Sequence, residues 1–426
     1  MRVGIVGAGI SGLVCAKRLL ELAAPKQQLQ VTTLEWGRGP GGRTARRRVK
    51  ISCPPIEKSF SSNGNDINSG SKRPIREQSK LVEASFDHAA PFFSARTKRF
   101  REGLLKEWED QGLATKWTTN SASEDLWVGL PTNHAIAKGI VQDIESSSGS
   151  CLFGQHVQTA KYDETKNVWN VGVVDRNDSN SAVIQHTFDA LVLSDKLLVL
   201  PNTYAILDPV DWKTLAIPSD LGSTGAVVLL VAFEKTTTSL NEQRKLFQAG
   251  VWHIEDNTQQ QHPFLKTIVH DSAKPGRDDN NGLDLWVVHS THEYAASHLV
   301  GERLDDSEAV RKELLTAFLK VLSKESSLTI PELESKLVHS SIMAWDHAQP
   351  QDSKRLQTSH LFDANRKAGV CGDFFLAEEA AAVVPGADEN NKSDHDLPQP
   401  HLPPSGVEAA ALSGLALAEE LAPLLA

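Results

Sequence analysis

The opening stretch, Met1 to Arg48, constrains the fold more tightly than any other part of the chain. Arg2-Val3-Gly4-Ile5-Val6 is a short apolar run with strand character. Gly7-Ala8-Gly9-Ile10-Ser11-Gly12 follows at once, and an amphipathic helical pattern continues through Leu13, Val14, Ala16, Leu19, Leu20 and Leu22. After a break at Pro25, Leu29 to Leu34 reads as a second strand ending at Glu35. This is a β-α-β unit with a dinucleotide fingerprint in place. Gly7 permits the tight turn, Gly9 lets backbone approach a pyrophosphate, and Gly12 lets the helix pack close to the strand. The helix N-terminus, with Ala8 and Ser11 in its turn, offers backbone N–H groups and the positive end of a dipole to phosphates. Glu35 suits a ribose with both hydroxyls free, because a carboxylate there would repel a 2′-phosphate.

The residues after Glu35 narrow the cofactor. Trp36-Gly37-Arg38-Gly39-Pro40-Gly41-Gly42-Arg43 is a glycine-rich loop with two arginines. A dehydrogenase that uses only NAD has no need of such a loop here. FAD does, since it runs on past the pyrophosphate to a ribityl chain and a flavin ring. Backbone at Gly42 can lie against that chain, and Arg38 and Arg43 can pair with phosphate oxygens. GxGxxG, then an acid, then a Gly-Gly-Arg loop resembles the FAD-binding opening of the flavin amine oxidase superfamily. The fold expected is α/β: a Rossmann-like FAD-binding domain with a mixed α+β substrate domain, in the architecture shared by amine oxidases and p-hydroxybenzoate hydroxylase.

The chain has 426 residues, enough for two or three domains' worth of core, and a formal net charge of −10. That balance argues against nucleic acid or an anionic membrane as a partner. Cys15, Cys53, Cys151 and Cys371 are scattered without CxxC spacing, which suggests neither a disulfide framework nor a zinc site and fits a cytoplasmic or other reducing compartment. The first strand begins at residue 2, so no targeting leader is expected. Val407 to Ala426 is the most apolar stretch, but Glu408, Glu419 and Glu420 interrupt it, and it reads as a buried helix rather than a membrane span.

Taken in order, Val49 to Glu83 is rich in Ser, Asn, Lys and Gly and reads as a solvated insertion. Asp87-His88-Ala89-Ala90-Pro91-Phe92-Phe93-Ser94-Ala95 follows, then a helical pattern over Thr97 to Gln111, then Trp117 after a glycine turn. An Asp-His-Gly-Ala-Gln-Tyr-Phe-Thr-Ala run with a helix and a tryptophan behind it is the pattern of renalase-like proteins, which this segment resembles. Ala89 and Pro91 depart from it, standing where that pattern has Gly and Gln. Gly154 to Ala160 is a strand, and the resemblance implies that the Val157 backbone meets adenine. Residues 196–339 are expected to form the substrate domain. Residues 1–195 and 340–426 are expected to form the FAD domain, with polar insertions near 49–83 and 378–403. Trp286 to Leu299 again resembles the renalase-like pattern, as does Trp345-Asp346-His347-Ala348-Gln349-Pro350, on a strand expected to re-enter the FAD domain. Near the end, Gly372-Asp373 after an apolar strand resembles the superfamily element that meets the ribityl chain and pyrophosphate. Val407-Glu408-Ala409-Ala410 matches its Val-Glu-Gly-Ala, at a helix N-terminus that faces the flavin, with Ala409 in place of glycine.

No nucleophile–base constellation and no paired metal-ligand spacing is visible, so no metal is expected. That suits a flavoenzyme, in which the cofactor carries the reaction and the protein supplies position and electrostatics. The substrate-facing candidates are His88, Phe92, Tyr294, Trp345 and His347. The renalase-like resemblance implies hydride transfer from a dihydro isomer of NAD(P) to flavin N5, with O2 as acceptor and hydrogen peroxide as product. Two other readings stand beside it. One is an amine oxidase whose aromatic pair, drawn from Phe92, Tyr294 and Trp345, sandwiches the substrate nitrogen. The other is a non-catalytic FAD-fold binding protein, suggested by Ala89, Pro91 and Ala409. The sequence leaves substrate identity and oligomeric state open.

Overall fold

The computed structural model describes residues 1–23, 28–53, 80–119, 125–178, 182–199, 206, 221–235, 250–254, 262–277, 282–301, 303–326, 328–351, 354–376 and 406–425. The break at Pro25, the middle of the first polar segment and the whole of the second lie outside the described residues.

The opening unit forms as read: β1 (Arg2–Val6), α1 (Ile10–Leu22) and β2 (Gln30–Glu35). β1 lies inside a six-stranded sheet whose order is Leu361–Asp363, Ala368–Val370, Ala190–Leu193, β1, β2, Ser150–Phe153. Every neighbouring pair is parallel except the first. A parallel sheet needs both faces covered, and β1 is buried along almost its whole length. Val3 and Ile5 face one core, built with Leu13 and Ala16 of α1, Ile136 and Ile140 of the helix His134–Ser146, and Ala411 and Leu417 of the last helix, Gly406–Leu421. Val6 and Leu34 face a second core with Val171, Val173 and Phe188 from an antiparallel layer of Gln155–Asp163, Val168–Asp175 and Ile184–Phe188.

The second sheet is antiparallel, ordered Val251–His253, Leu265–His270, Leu283–Ser290, Ser223–Glu234, Leu337–Pro350. Alternation along Ser223–Glu234 sorts its two faces. Val227, Leu229, Val231 and Phe233 pack with Val310, Leu314, Phe318 and Leu322 of the helix Ser307–Glu325. Val228, Leu230 and Ala232 pack on the opposite side with Ile51, Val82, Ala84 and Phe86. Those four come from β3 (Arg46–Cys53) and β4 (Lys80–Asp87), a ribbon in register from Arg46 opposite Asp87 to Cys53 opposite Lys80.

The ribbon corrects one expectation. The ends of 49–83 are not a solvated insertion but strands that plug one face of the second sheet. Ile51, Val82 and Ala84 are their inward, period-2 positions, separated by Lys, Ser and Glu on the outer face. The expected division at 339/340 also falls inside a continuous strand. Leu337–Pro350 is hydrogen-bonded to Ser223–Glu234 from Leu337 opposite Phe233 to Pro350 opposite Ser223, so the second sheet runs on to Pro350. Among the described residues no helix is long and apolar enough to cross a membrane.

Candidate active site

The phosphate turn is set by sterics. Gly7 has φ +102°, in the region that favours glycine. A Cβ on Gly12 would stand 2.3 Å from the Gly7 carbonyl oxygen, so α1 could not approach the turn with any side chain there. A Cβ on Gly9 would meet nothing within 4 Å. Gly9 caps α1 without a side-chain hydrogen bond, no acidic residue lies in the first turn, and the first intrahelical bond is Leu13 N–H to Gly9 O at 3.0 Å. The N–H groups ahead of Leu13 therefore open beside the space in front of Gly9. The Ser11 hydroxyl donates to the Ser194 carbonyl at 3.1 Å, which leaves its backbone N–H as what it offers a ligand. The glycine-rich loop lies against the same spot. Gly41 N–H donates to Ala8 O at 2.8 Å, and Gly42 stands over Gly9.

Glu35 sits at the end of β2. One carboxylate oxygen accepts from Ala8 N–H at 2.7 Å and the other from Gly37 N–H at 2.6 Å. Burial raises its pKa against these two bonds, which lower it. Each oxygen keeps a further lone pair for a hydroxyl. Trp36 stacks on His156 at 5.0 Å and 16°, and the Arg176 guanidinium lies 5.1 Å over the Trp36 ring. Val157, the next residue in that strand, is buried. Arg38 is exposed.

Arg43 and Asp373, both candidates from sequence and 330 residues apart, form a bidentate pair with N···O distances of 2.6 and 2.8 Å. Arg43 also donates to the Ala348 carbonyl at 3.2 Å. One guanidinium thus ties the glycine-rich loop to the Gly372-Asp373 turn and to the strand carrying Trp345 and His347. Gly406, the first residue of the last helix, has its Cβ position 3.5 Å from the Asp373 carboxylate. Glu408 turns inward: its carboxylate accepts from the N–H groups of Arg96 and Thr97 and from the Thr97 hydroxyl at 2.7–3.1 Å. It anchors the segment after Phe93. Ala409 is buried beside it.

The substrate-side candidates separate into groups. His88 follows β4, and its backbone is held by its neighbours. Its carbonyl accepts from the His289 ring at 2.7 Å. Asp87, one residue back, accepts from Lys274, Arg277 and Asn133 at 3.1, 2.8 and 3.1 Å. Lys274 and Arg277 are also paired with Asp271 at 2.5 and 3.2 Å, in a network of two acids and two bases that is shut away from solvent. Burial, with His289 and Arg47 adding to it, pushes the His88 pKa down to about 4. Burial does the same to His289, also to about 4. Both rings are neutral at neutral pH. Trp345 lies 5.4 Å from His88 at 38°. His347 pairs with the Ser223 hydroxyl. Phe92 packs edge-on to His253 at 6.2 Å and near Trp117 at 6.5 Å. Tyr294 lies elsewhere: it belongs to the core on the helix side of the second sheet, and its hydroxyl donates to Glu313 at 2.8 Å. It is therefore on the opposite face from Phe92 and Trp345, which border the ribbon side, and its ring packs on Phe264 at 5.3 Å instead of on either of them.

Sequence reasoning missed His156, Arg176, Ser194 and the Asp87–Asp271–Lys274–Arg277 network. Only Asp87 lies in a motif, and its role comes from Lys274 and Arg277, far away in sequence. Among the described residues no group of three His, Cys, Asp or Glu side chains is placed to hold a metal ion. The open space at Gly9, the uncapped helix N-terminus, the loop folded over it and the acid at the end of β2 together fit a dinucleotide.

Comparison with known proteins agrees on that domain. Residues 5–60 match the family described as NAD(P)-binding Rossmann-like domain. No curated protein matches the sequence. Among solved structures, an oxidoreductase from Methanosarcina mazei is similar at a TM-score of 0.46 and 13% identity, covering 98% of this chain and 100% of that one. A flavoprotein/dehydrogenase from Cytophaga hutchinsonii gives 0.45 and 9%, covering 100% and 79%. At these scores, what such neighbours bind or catalyse does not carry over to this chain.

Proposed function

We propose that the chain is an FAD-dependent oxidoreductase of the renalase-like kind, acting on a dihydro isomer of NAD(P). The observation that carries the reading is the seating of the Gly41–Arg43 loop against Gly9, with Arg43 reaching Asp373 on the far side. A cofactor that continues through a ribityl chain would pass along that pair. Gly9 and the Ser11 and Gly12 N–H groups would hold the pyrophosphate in the turn that Gly7 and Ala8 shape, Glu35 the ribose, Trp36 and the Val157 backbone the adenine side, and Gly42, Arg43, Gly372 and Asp373 the ribityl side.

When bound, FAD supplies N5 as the hydride acceptor and, in an oxidase, passes the electrons to O2 to give hydrogen peroxide. The chain's own part is positional and electrostatic. Loss of hydride from a dihydronicotinamide leaves a pyridinium cation and requires no base. His88 and His289, held neutral, do not oppose that charge as it forms. Amine oxidation would instead draw on the aromatic pair, and the placement of Tyr294 leaves only Phe92 and Trp345 to form it.

The test is anaerobic mixing of the FAD-loaded protein with dihydronicotinamide isomers and with a panel of amines. Bleaching of the flavin band by the dihydro isomers alone is expected. Bleaching by an amine would replace this reading with the amine oxidase. A bound flavin that nothing bleaches would replace it with the non-catalytic binding protein.

A further inference from the structure

Two polar atoms in the substrate-side group are buried with no hydrogen-bond partner among the described residues: Nδ1 of His88 and Nε1 of Trp345. Leaving a buried donor or acceptor unsatisfied is costly, and native chains keep few of them. Here two stand in one place, on rings 5.4 Å apart. A donor and an acceptor can meet there. An indole N–H can only donate. The His88 ring is neutral, with the Ala45 backbone beside it. In its Nε2–H tautomer, Nδ1 carries the lone pair and accepts.

Neither ring is loosely held. The His88 backbone is fixed by the His289 ring and by the four-residue ionic network at Asp87. Trp345 stands beside a bulge in the second sheet, where the register shifts between Thr224 and Ala226 and its own partner is Ala226. Bulges re-aim the side chains next to them. Both residues also border the cofactor loop. Ala45, beside His88, is two positions past Arg43, and Ala348, three positions past Trp345, accepts from Arg43.

We propose that His88 Nδ1 and Trp345 Nε1–H together read an amide edge, one N–H beside one C=O, on a planar ring bound against the glycine-rich loop. A ring carboxamide has that edge, and the pair would then select an amide-bearing substrate over the corresponding acid. The imide edge of the flavin presents the same chemistry. The carboxamide assignment rests on the function proposed above; the pairing of donor with acceptor does not.

The test uses the full chain, as purified and after incubation with FAD. Calorimetric titration with nicotinamide, benzamide, nicotinate and 3-acetylpyridine reads the amide edge without needing turnover. Nicotinamide and benzamide should bind alike, and the acid and the ketone about tenfold or more weakly, because each lacks the N–H. Trp345→Phe removes only the donor and His88→Phe only the acceptor, and each should cost the two amides about tenfold. His88→Gln, which retains an acceptor, should recover part of that loss. FAD affinity, measured in parallel by fluorescence, separates the two sources. Variants that lose the amides while retaining FAD place a substrate carboxamide on the pair, and variants that lose FAD alone place the flavin imide there. The proposal is overturned if variants with wild-type circular dichroism change neither affinity by more than twofold, or if nicotinate and nicotinamide bind equally. A chain that binds no FAD but still prefers amides through Trp345 would remove the proposed function and leave the pairing intact.

Discussion

A methyl group on Gly12 would press against the Gly7 carbonyl at 2.3 Å, whereas one on Gly9 has nothing within 4 Å to meet. The two glycines of one motif are thus retained for different reasons, packing at Gly12 and a ligand at Gly9. Gly9→Ala should unfold in urea within about 1 kcal/mol of wild type, since its backbone is ordinary extended chain at φ −72°. Its FAD affinity should fall at least tenfold, because the methyl occupies the space kept for a pyrophosphate. Gly12→Ala should instead destabilise the ligand-free chain by about 1–3 kcal/mol, as overpacking against backbone does. Both are checked by urea titration of the ligand-free protein beside an FAD titration. At this scale the sequence was readable wherever a residue's reason is local, as at Gly7, Gly12 and Glu35. Glu408 was not: the N–H groups it accepts lie 311 and 312 residues away, and a motif could place it at the helix start without saying which way its carboxylate turns.

Elements show the same division. β1, α1 and β2 follow from apolar periodicity bracketed by glycine, and the helix Ser307–Glu325 from Val310, Leu314, Phe318 and Leu322. The β3–β4 ribbon was hidden because charged and small residues fill its outer positions, so an alternation that faces a core resembles a polar insertion. What anchors that ribbon is electrostatic. Asp87 at its end and Asp271 beyond it share Lys274 and Arg277, with all four side chains at most 3% exposed. Removing one cation leaves a carboxylate buried with too little charge to balance it. Lys274→Met should cost about 3 kcal/mol or more in chemical denaturation. A Lys274→Met/Asp271→Leu pair should recover part of that loss, because it removes one acid with the base. A single variant as stable as wild type would show that the network holds nothing together.

For the whole molecule, the two neutral histidines make stability depend on pH. His88 and His289 have folded pKa values of about 4 against an ordinary 6.5. Between those values the unfolded chain binds protons that the folded chain excludes. Stability is therefore full above about pH 6.5 and falls as pH drops toward 4, by up to roughly 3 kcal/mol for each ring. His289→Gln should flatten that slope in urea titrations at pH 7, 6 and 5, and an unchanged slope would contradict the assignment. That a parallel nucleotide-type sheet is joined by a second α+β layer was legible in the order of motifs. The exact division was not: the strand carrying Trp345 was expected to re-enter the FAD domain, and only its pairing with Ser223–Glu234 shows which sheet it joins.

The central claim is that this chain binds FAD along the line from Gly9 through Arg43 to Asp373. The most direct test is the visible spectrum of the purified protein, before and after incubation with FAD and removal of the excess. The account predicts a flavin band at one FAD per chain, retained by wild type and lost on Gly9→Ala. A colourless protein that holds no FAD after incubation would contradict it.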